Sequence, residues 1–376
     1  MLISRQVDDL AIGCRNVDSI CKLVAIICAE DKVDLRNEGI LTSFNGVDVI
    51  QSRHYIQVTC ESYIDRFLDH YGWSSPGNRE SSERPIEPIA MSTIPQLFLD
   101  YDAAATATDA ALMEHEVDAG FSYRSILGCV IYVYVVARID IGFAVTLLAR
   151  FSDHPVKIHF DSLRRLARYL RMTKNWGLIY WRPAPINTLP IGDFIVLLPD
   201  PALPDFPQPQ SSTSLAGYVD AAHATDLSTQ RSITGLAFVL CGGPIAYKSK
   251  VQSTVSTSST EAEFVAAVQA AKIAKYLRSI LLELDYKQPG PTVLYEDNQA
   301  AILMINASRP TPRSRHIDIQ HFAIQEWKSK GEIILCHIPG IINPADALTK
   351  ALGTTLHFRH VRRLMGHYGA PWMTRE

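Results

Sequence analysis

Apolar positions along this chain recur with two periods, and the stretches that have neither are equally informative. Residues 18–29, 61–71, 123–150, 158–172, 264–284 and 316–330 repeat every three to four positions and predict helices. The faces are explicit: Tyr63, Ile64, Phe67 and Leu68 in one, and Phe264, Ala267, Ala271, Ala274, Leu277, Leu281 and Leu284 in the longest. Short apolar runs bounded by turn residues predict strands within 39–58, around the Asn45-Gly46 turn, and at 215–222, 232–240, 244–248, 291–295 and 332–338. A small-residue helix is expected at 299–305, and the start of a last helix at 344–350. Residues 74–118 lack sustained periodicity and are rich in Pro, Ser, Glu and Ala, which predicts a linker or loose loop. A proline-rich break over 183–209 places the domain boundary. Beyond it the order is a three-strand meander, helix, strand, two helices, strand and helix, a mixed α/β layer fold.

One position breaks this pattern. Residues 215–222 read Leu-Ala-Gly-Tyr-Val-Asp-Ala-Ala, a strand with Asp220 where an apolar side chain belongs. A carboxylate there costs on the order of several kcal/mol unless it is paired, hydrogen-bonded or bound to a cation. Three more acids sit at the ends of elements: Glu263 in the first turn of the long helix, Asp297 just after a strand, and Asp346 opening the last helix. Each of these three also has an ordinary reading. Thr260 and Glu263 fit a capping box, Asp346 suits the positive end of a helix dipole, and Asp297 fits a turn. Asp220 caps nothing. Together the four make a set of hard oxygen ligands of the kind magnesium prefers, and two such ions about 3.5 to 4 Å apart can hydrolyse a phosphodiester.

The length of 376 residues exceeds one ordinary core, so two or three domains are expected. With 47% apolar and 20% charged residues the composition is that of a globular protein. No apolar run reaches the roughly 18 residues of a membrane span, and Arg5, Asp8 and Asp9 interrupt any signal peptide. The expectation is an intracellular protein without a membrane partner; a cytoplasmic particle and the nucleus both stay open. Seven cysteines without a C-x-x-C pair argue against a disulfide framework and a zinc knuckle. Cys14, Cys21 and Cys28 recur every seven residues, which predicts a buried helix face. A net charge of -3 excludes nucleic-acid binding by bulk electrostatics, so basic residues would have to act locally. Arg164, Arg165, Arg168 and Arg171 form such a stripe, either a solvated face or a phosphate-contacting one. Near the N-terminus two short apolar runs flank Asp8 and Asp9, a hairpin with the acids at its tip or an ordinary polar turn.

Several segments then become recognisable. Gly217-Tyr218-Val219-Asp220, Arg231-Ser232-Ile233-Thr234-Gly235, Ser258-Ser259-Thr260-Glu261-Ala262-Glu263-Phe264, Glu296-Asp297-Asn298-Gln299-Ala300-Ala301-Ile302, His316-Ile317-Asp318 with His321-Phe322, and Ala345-Asp346-Ala347-Leu348-Thr349-Lys350 follow one another as in a known family. In order and spacing they resemble the ribonuclease H domain of copia-type retrotransposon polyproteins, over residues 215–352. The resemblance implies an α/β (α+β) ribonuclease H-like fold with a five-stranded mixed sheet and flanking helices. It implies hydrolysis of the RNA strand of RNA/DNA hybrids by two magnesium ions, with manganese as the alternative, held by Asp220, Glu263, Asp297 and Asp346. Glu261 is set aside because the family's acid directly precedes the aromatic, here Phe264. His337 lies on the connection that carries a catalytic histidine in many ribonucleases H, with proton transfer or product release as its role; a plain strand-end histidine is the other reading. His316, Asp318 and His321 match the motif and are assigned no chemistry. Lys248, Lys250, Arg313 and Arg315 are expected phosphate contacts, with solvated surface as the alternative. The hybrid would be held through its backbone and 2′-hydroxyl groups.

The first half resembles the same polyproteins. Val7-Asp8-Asp9 is similar to the palm hairpin of their reverse transcriptase, and Tyr55-Ile56, Tyr123-Arg124-Ser125-Ile126-Leu127-Gly128 and Arg138-Ile139-Asp140 are similar to the segments after it. The expected organisation is a palm remnant at 1–73, a linker at 74–118, a helical thumb- or connection-like region at 119–182 and a proline-rich linker at 183–213. The ribonuclease H-like domain follows at 214–352, with a tail at 353–376. A polymerase needs a third aspartate from an earlier strand, and Met1 falls inside the hairpin's first strand, so Asp8 and Asp9 read as remnants of an inactive polymerase. Gln6 and Ile139 replace an aromatic and a proline of the family; Ala222, His223 and Val251 replace an acid, a tryptophan and a basic residue. The leading expectation is a ribonuclease H attached to that remnant. The alternatives are a non-catalytic nucleic-acid-binding remnant and an unstable pseudogene product, whose incomplete palm would expose sheet edges.

Overall fold

The computed structural model describes residues 2–6, 9–13, 17–30, 38–75, 86–104, 109–184, 186, 188–191, 194–198, 213–307 and 315–367. Strands β1 (Leu2–Gln6) and β2 (Asp9–Gly13) pair antiparallel with Gln6 opposite Asp9; Asp8 and the side chain of Asp9 lie outside the described residues. Helix α1 (Val17–Glu30) follows. Its Cys21 is exposed and Cys28 half-buried, so the cysteine spacing does not mark a buried face; Cys14 lies outside the described residues. Strands β3 (Ser43–Phe44) and β4 (Val47–Gln51) are joined by Asn45 and Gly46, whose φ values of 54° and 75° suit a two-residue hairpin turn. Strand β5 (Tyr55–Thr59) and helix α2 (Glu61–His70) complete this part.

Part of the stretch expected to be a linker is helical among the described residues. Residues 74–118 contain α3 (Ile94–Ala103) and most of α4 (Asp109–Ala119). Leu97 and Phe98 of α3 are buried. Two further helices, α5 (Tyr123–Val136) and α6 (Gly142–Ala149), replace the single predicted one. The break between them is set by a buried ion pair. Arg138 donates to both carboxylate oxygens of Asp140 at 2.9 and 2.6 Å and to the carbonyl and hydroxyl of Thr173 at 3.0 and 2.6 Å. Two buried charges need such partners, and a 3-10 turn over Ile139–Ile141 supplies the bend.

Helix α7 (Lys157–Met172) carries the arginine stripe, and three of its guanidiniums bond to groups of this chain. Arg164 donates to the Ala119 carbonyl at 2.6 Å, Arg165 to the Glu87 carboxylate at 2.8 Å, and Arg171 to the Trp73 carbonyl at 3.1 Å. The stripe therefore fastens the segment before α5 to the core. Strand β6 (Gly177–Trp181) joins the sheet β3-β4-β5-β6, and a small hairpin of β7 (Thr188–Ile191) and β8 (Phe194–Leu197) lies within the proline-rich stretch.

The second half is built on strands β9 (Ala216–Ala222), β10 (Ile233–Leu240) and β11 (Gly243–Val251), then α8 (Ser259–Glu283), β12 (Thr292–Glu296), α9 (Gln299–Asn306), α10 (Arg315–Ser329) and β13 (Ile333–His337). The sheet order is β11-β10-β9-β12-β13, antiparallel across the first three and parallel across the last three. This is the five-stranded mixed sheet that was expected. Val219 and Ala221 of β9 share a core with α8, whose buried Ala262, Ala266, Ala267, Ala270, Ala271 and Ala274 let it lie close to the strands. Phe264 anchors that helix, and burial of such a side chain stabilises by about 1.5–3 kcal/mol.

Two expectations about the C-terminus are corrected. The helix predicted to begin at 344 is one 3-10 turn over Pro344–Leu348, and the stretch taken for a tail carries α11 (Thr354–Leu364). That helix buries His357, His360, Val361 and Leu364, a face that polar scoring of histidine hides. The second core of the molecule joins both halves: it contains Leu97, Val130 and Leu166 together with Ile233, Ala237, Leu348, Val361 and Leu364. Backbone bonds follow it, from Ile179 N to the Met365 carbonyl at 2.9 Å and from Trp181 N to the Cys241 carbonyl at 2.8 Å. Among the described residues no single helix is long and apolar enough to cross a membrane.

Candidate metal centre

Strand β9, the start of α8 and the end of β12 bring three acids together. One carboxylate oxygen each from Asp220, Glu263 and Asp297 lies within 4.8 Å of the others. Asp220 is fully buried, in the middle strand of the sheet. Glu263 is aimed by the cap of α8. Ser258 is the N-cap, its hydroxyl accepting from Glu261 N at 3.2 Å, while the Glu261 carboxylate accepts from the amide and hydroxyl of Thr257 at 2.7 and 2.6 Å. The capping acid is thus Glu261, not Glu263 with Thr260, and Glu263 is left for the cluster. Gln252 holds the approach to the helix, donating to Thr234 Oγ1 at 3.0 Å and the Ala262 carbonyl at 2.9 Å. Ser256 donates back to Gln252 at 3.0 Å, and His223, the residue in place of a tryptophan, is 3.1 Å from the Ser256 carbonyl.

Asp297 follows β12, between Glu296 and the N-cap Asn298, whose side chain accepts from Ala301 N at 3.0 Å. A Cβ at Gly340 would stand 2.9 Å from Asp297 Oδ2, so the glycine leaves that carboxylate its room. Glu296 was not singled out from the sequence. It is fully buried, with Oε1 accepting from Asn298 N at 3.1 Å. The signal was present in the period of two: Thr292, Leu294 and Glu296 are the buried positions of β12.

Asp346 stands on the 3-10 turn that lies over β9 and β10. Asn343 fixes the turn, donating to the Val219 carbonyl at 2.8 Å and accepting from Ala345 N at 3.2 Å. Lys350 Nζ is 2.8 Å from Asp346 Oδ1 and 3.3 Å from Asp220 Oδ1, and the Thr349 hydroxyl donates to Asp220 Oδ2. Lys350 thus bridges Asp346 and Asp220, whose carboxyl groups also lie close to one another, and Asp346 is not one of the three clustered acids. Gly235 of β10 passes beneath this turn, where a Cβ would meet Thr349 Cγ2 at 2.6 Å, Leu348 Cβ at 2.9 Å and the Ala345 carbonyl at 3.0 Å. A methyl group there requires the turn to shift.

Electrostatics set these acids apart. Burial raises the Asp220 carboxyl, Lys350 opposes the shift and Asp346 adds to it. Burial, then the charges of Glu296, Asp220 and Asp297, push Glu263 up to about 11. Burial likewise holds Glu296 well above the carboxylate range and raises Asp297 and Asp346. Lys350 loses to burial but gains more from Asp220 and Asp346, and stays above the usual lysine range. Glu263 Oε2 and Glu296 Oε2 are buried without a hydrogen-bond partner. Crowded carboxylates of this kind are neutralised by protons or by a cation. The all-oxygen donor set, with no histidine or cysteine in it, fits magnesium or manganese.

The other expected residues are more scattered. His337 ends β13, opposite Glu296 in the parallel register, and is exposed; among the described residues no hydrogen bond joins it to the acids. On β11, Lys248 is half-buried, its ammonium pKa lowered by burial and then by Lys250, which is exposed. No hydrogen bond or ion pair among the described residues joins either to the acids. Arg313 and the side chains of Arg315, His316 and Asp318 lie outside the described residues. His321 is buried 3.1 Å from the Met304 carbonyl, a packing role.

No family model matches the chain. It is 28% identical over 348 residues to the retrovirus-related Pol polyprotein from transposon TNT 1-94 of Nicotiana tabacum, covering 92% of this chain and 23% of that one. It is 30% identical over 233 residues to the polyprotein from transposon RE1 of Arabidopsis thaliana, covering 62% of this chain and 14% of that one. The chain thus spans less than a quarter of the length of these relatives. Among solved structures, LC11-RNase H1 isolated from compost is similar with a TM-score of 0.29 and 15% identity, covering 36% of this chain and 93% of that one. Over 92% of its own residues this chain is thus similar to a retrovirus-related Pol polyprotein of a plant copia-type transposon, consistent with a retrotransposon polyprotein fragment whose second half has a mixed α/β fold.

Proposed function

We propose that residues 214–352 act as a ribonuclease H that hydrolyses the RNA strand of RNA/DNA hybrids, using two magnesium or manganese ions held by Asp220, Glu263, Asp297 and Asp346. The observation that carries this reading is the meeting of Asp220, Glu263 and Asp297 oxygens within 4.8 Å, with Glu263 Oε2 buried and unpartnered. Bound there, the ions would supply an activated water and stabilise the leaving oxygen. The chain's own residues do the rest. Asp220 is fixed by Thr349 and Lys350. Glu263 is held by the capped end of α8, and Asp297 by the start of α9. Burial favours the protonated forms of Glu263 and Glu296, a preference that a bound cation would oppose. His337, exposed at the same end of the parallel strands as Glu296, would relay a proton or speed product release. Lys248 and Lys250, two residues apart on the edge strand β11, share a face and offer two charges to phosphates, with Arg313 and Arg315 as further contacts.

The test is cleavage of a labelled hybrid in magnesium, with Asp297→Asn alongside. The wild-type chain should cut and the variant should not; activity that survives in the variant means the site is misassigned. Hybrid binding with no turnover in either metal would identify a nucleic-acid-binding remnant instead.

A further inference from the structure

The acids are not compensated evenly. On one side Asp220, Glu263 and Asp297 crowd together, with one Glu263 oxygen and one Glu296 oxygen buried and unpartnered. On the other side Asp220 and Asp346 are bridged by Lys350 Nζ at 3.3 and 2.8 Å, and Thr349 takes the remaining Asp220 oxygen. An ammonium bridging two carboxylates stands where a divalent ion would stand to share them. Both cannot be there, because magnesium needs its oxygens at about 2.0–2.1 Å and the ammonium already rests against the same atoms. Lys350 also has a way out, since 41% of its side chain is exposed and its stem is flexible.

Resting on the nuclease reading above, we propose that the Lys350 ammonium occupies the cation position between Asp220 and Asp346, so that the two divalent ions load in order. The first is taken by Asp220, Glu263 and Asp297, of which the ammonium is hydrogen-bonded to Asp220 alone. The second is taken only as Lys350 swings outward, and its affinity is lowered by that competition. In the metal-free chain the same ammonium keeps Asp220 and Asp346 from repelling one another. Lys350 is a positioning residue, and its effect falls on ion occupancy before any bond is broken.

The experiment is calorimetric titration of the full chain with magnesium chloride in the absence of nucleic acid, repeated by manganese electron paramagnetic resonance. The wild-type chain should bind two ions in steps separated on the order of tenfold or more in concentration. Lys350→Gln and Lys350→Met should draw the second step to lower concentration by on the order of tenfold, leave the first within about threefold, and keep a cooperative melt. Two ions of equal affinity in the wild-type chain would overturn the inference, whatever the variants do. So would variants whose second step does not move, or whose two steps weaken together. A chain that cleaves hybrid but shows any of these results loses only this inference; one that neither binds ions nor cleaves loses the nuclease reading as well.

Discussion

Replacing Gly235 with alanine tests whether the turn over β10 sets the geometry of the acids. The added Cβ would stand 2.6 Å from Thr349 Cγ2, against about 3.4 Å where ordinary contact begins, so something must give by roughly 0.8 Å. The Leu348 and Ala345 contacts at 2.9 and 3.0 Å press in the same direction. Gly235 is not at positive φ, so alanine carries no backbone strain there. What moves is the 3-10 turn, which bears Asp346 and is followed by the Thr349 and Lys350 that hold Asp220. Because Asn343 remains tied to β9, the turn tilts about that anchor. Overpacking of this kind costs about 1–3 kcal/mol, offset by about 0.4–1 kcal/mol from the stiffer unfolded chain. A displacement of about 1 Å in a catalytic constellation costs about 100-fold in rate. Gly235→Ala should therefore keep a cooperative urea transition, weakened by about 1–2 kcal/mol, and cleave hybrid about 100-fold more slowly. Wild-type cleavage by a folded variant would refute the reasoning, because it would separate the acids from the seat of the turn.

Two further outcomes follow from the burial of charge. Arg138→Ala strips Asp140 of a two-bond partner in a fully buried setting, leaving Tyr169 as donor at 2.7 Å, and should cost about 3–5 kcal/mol in urea unfolding; a loss under 1 kcal/mol would show that water reaches the pair. The pH response has a definite sign. Glu263 is raised above its unfolded value, so the stability it contributes is complete below about pH 4.3 and is lost as pH rises toward about 11. The metal-free chain should melt at a lower temperature at pH 9 than at pH 6, and magnesium should recover more of the loss at pH 9, where the carboxylates release their protons more readily. Melting that ignores magnesium at both values would argue against an ion at this cluster.

Asp220 was legible because a charge inside an apolar run violates the period of its own strand. Glu263 was legible only through the motif, and its local reading went astray: five consecutive Ser and Thr residues, apart from Val255 before them, offer several caps, and the helix starts from Ser258. Glu296 was passed over because an acid beside Asp297 reads as the same turn. Lys350, Thr349 and Asn343 act on partners more than 120 residues away, Asp220 and Val219, and no local pattern carries that distance. The helices in 74–118 were missed for a related reason. Their hold on the core comes partly from guanidiniums of α7 reaching Glu87 and Ala119, contacts that look like surface charge when α7 is read alone.

Strand β10 has one side in each core: Leu236 and Phe238 pack under α8, while Ile233 and Ala237 pack with residues of the first half. A piece excised at the proline-rich crossing would carry the Ile233 and Ala237 side of this strand into water. The first half is in this sense a lid for the second, whatever chemistry either half performs.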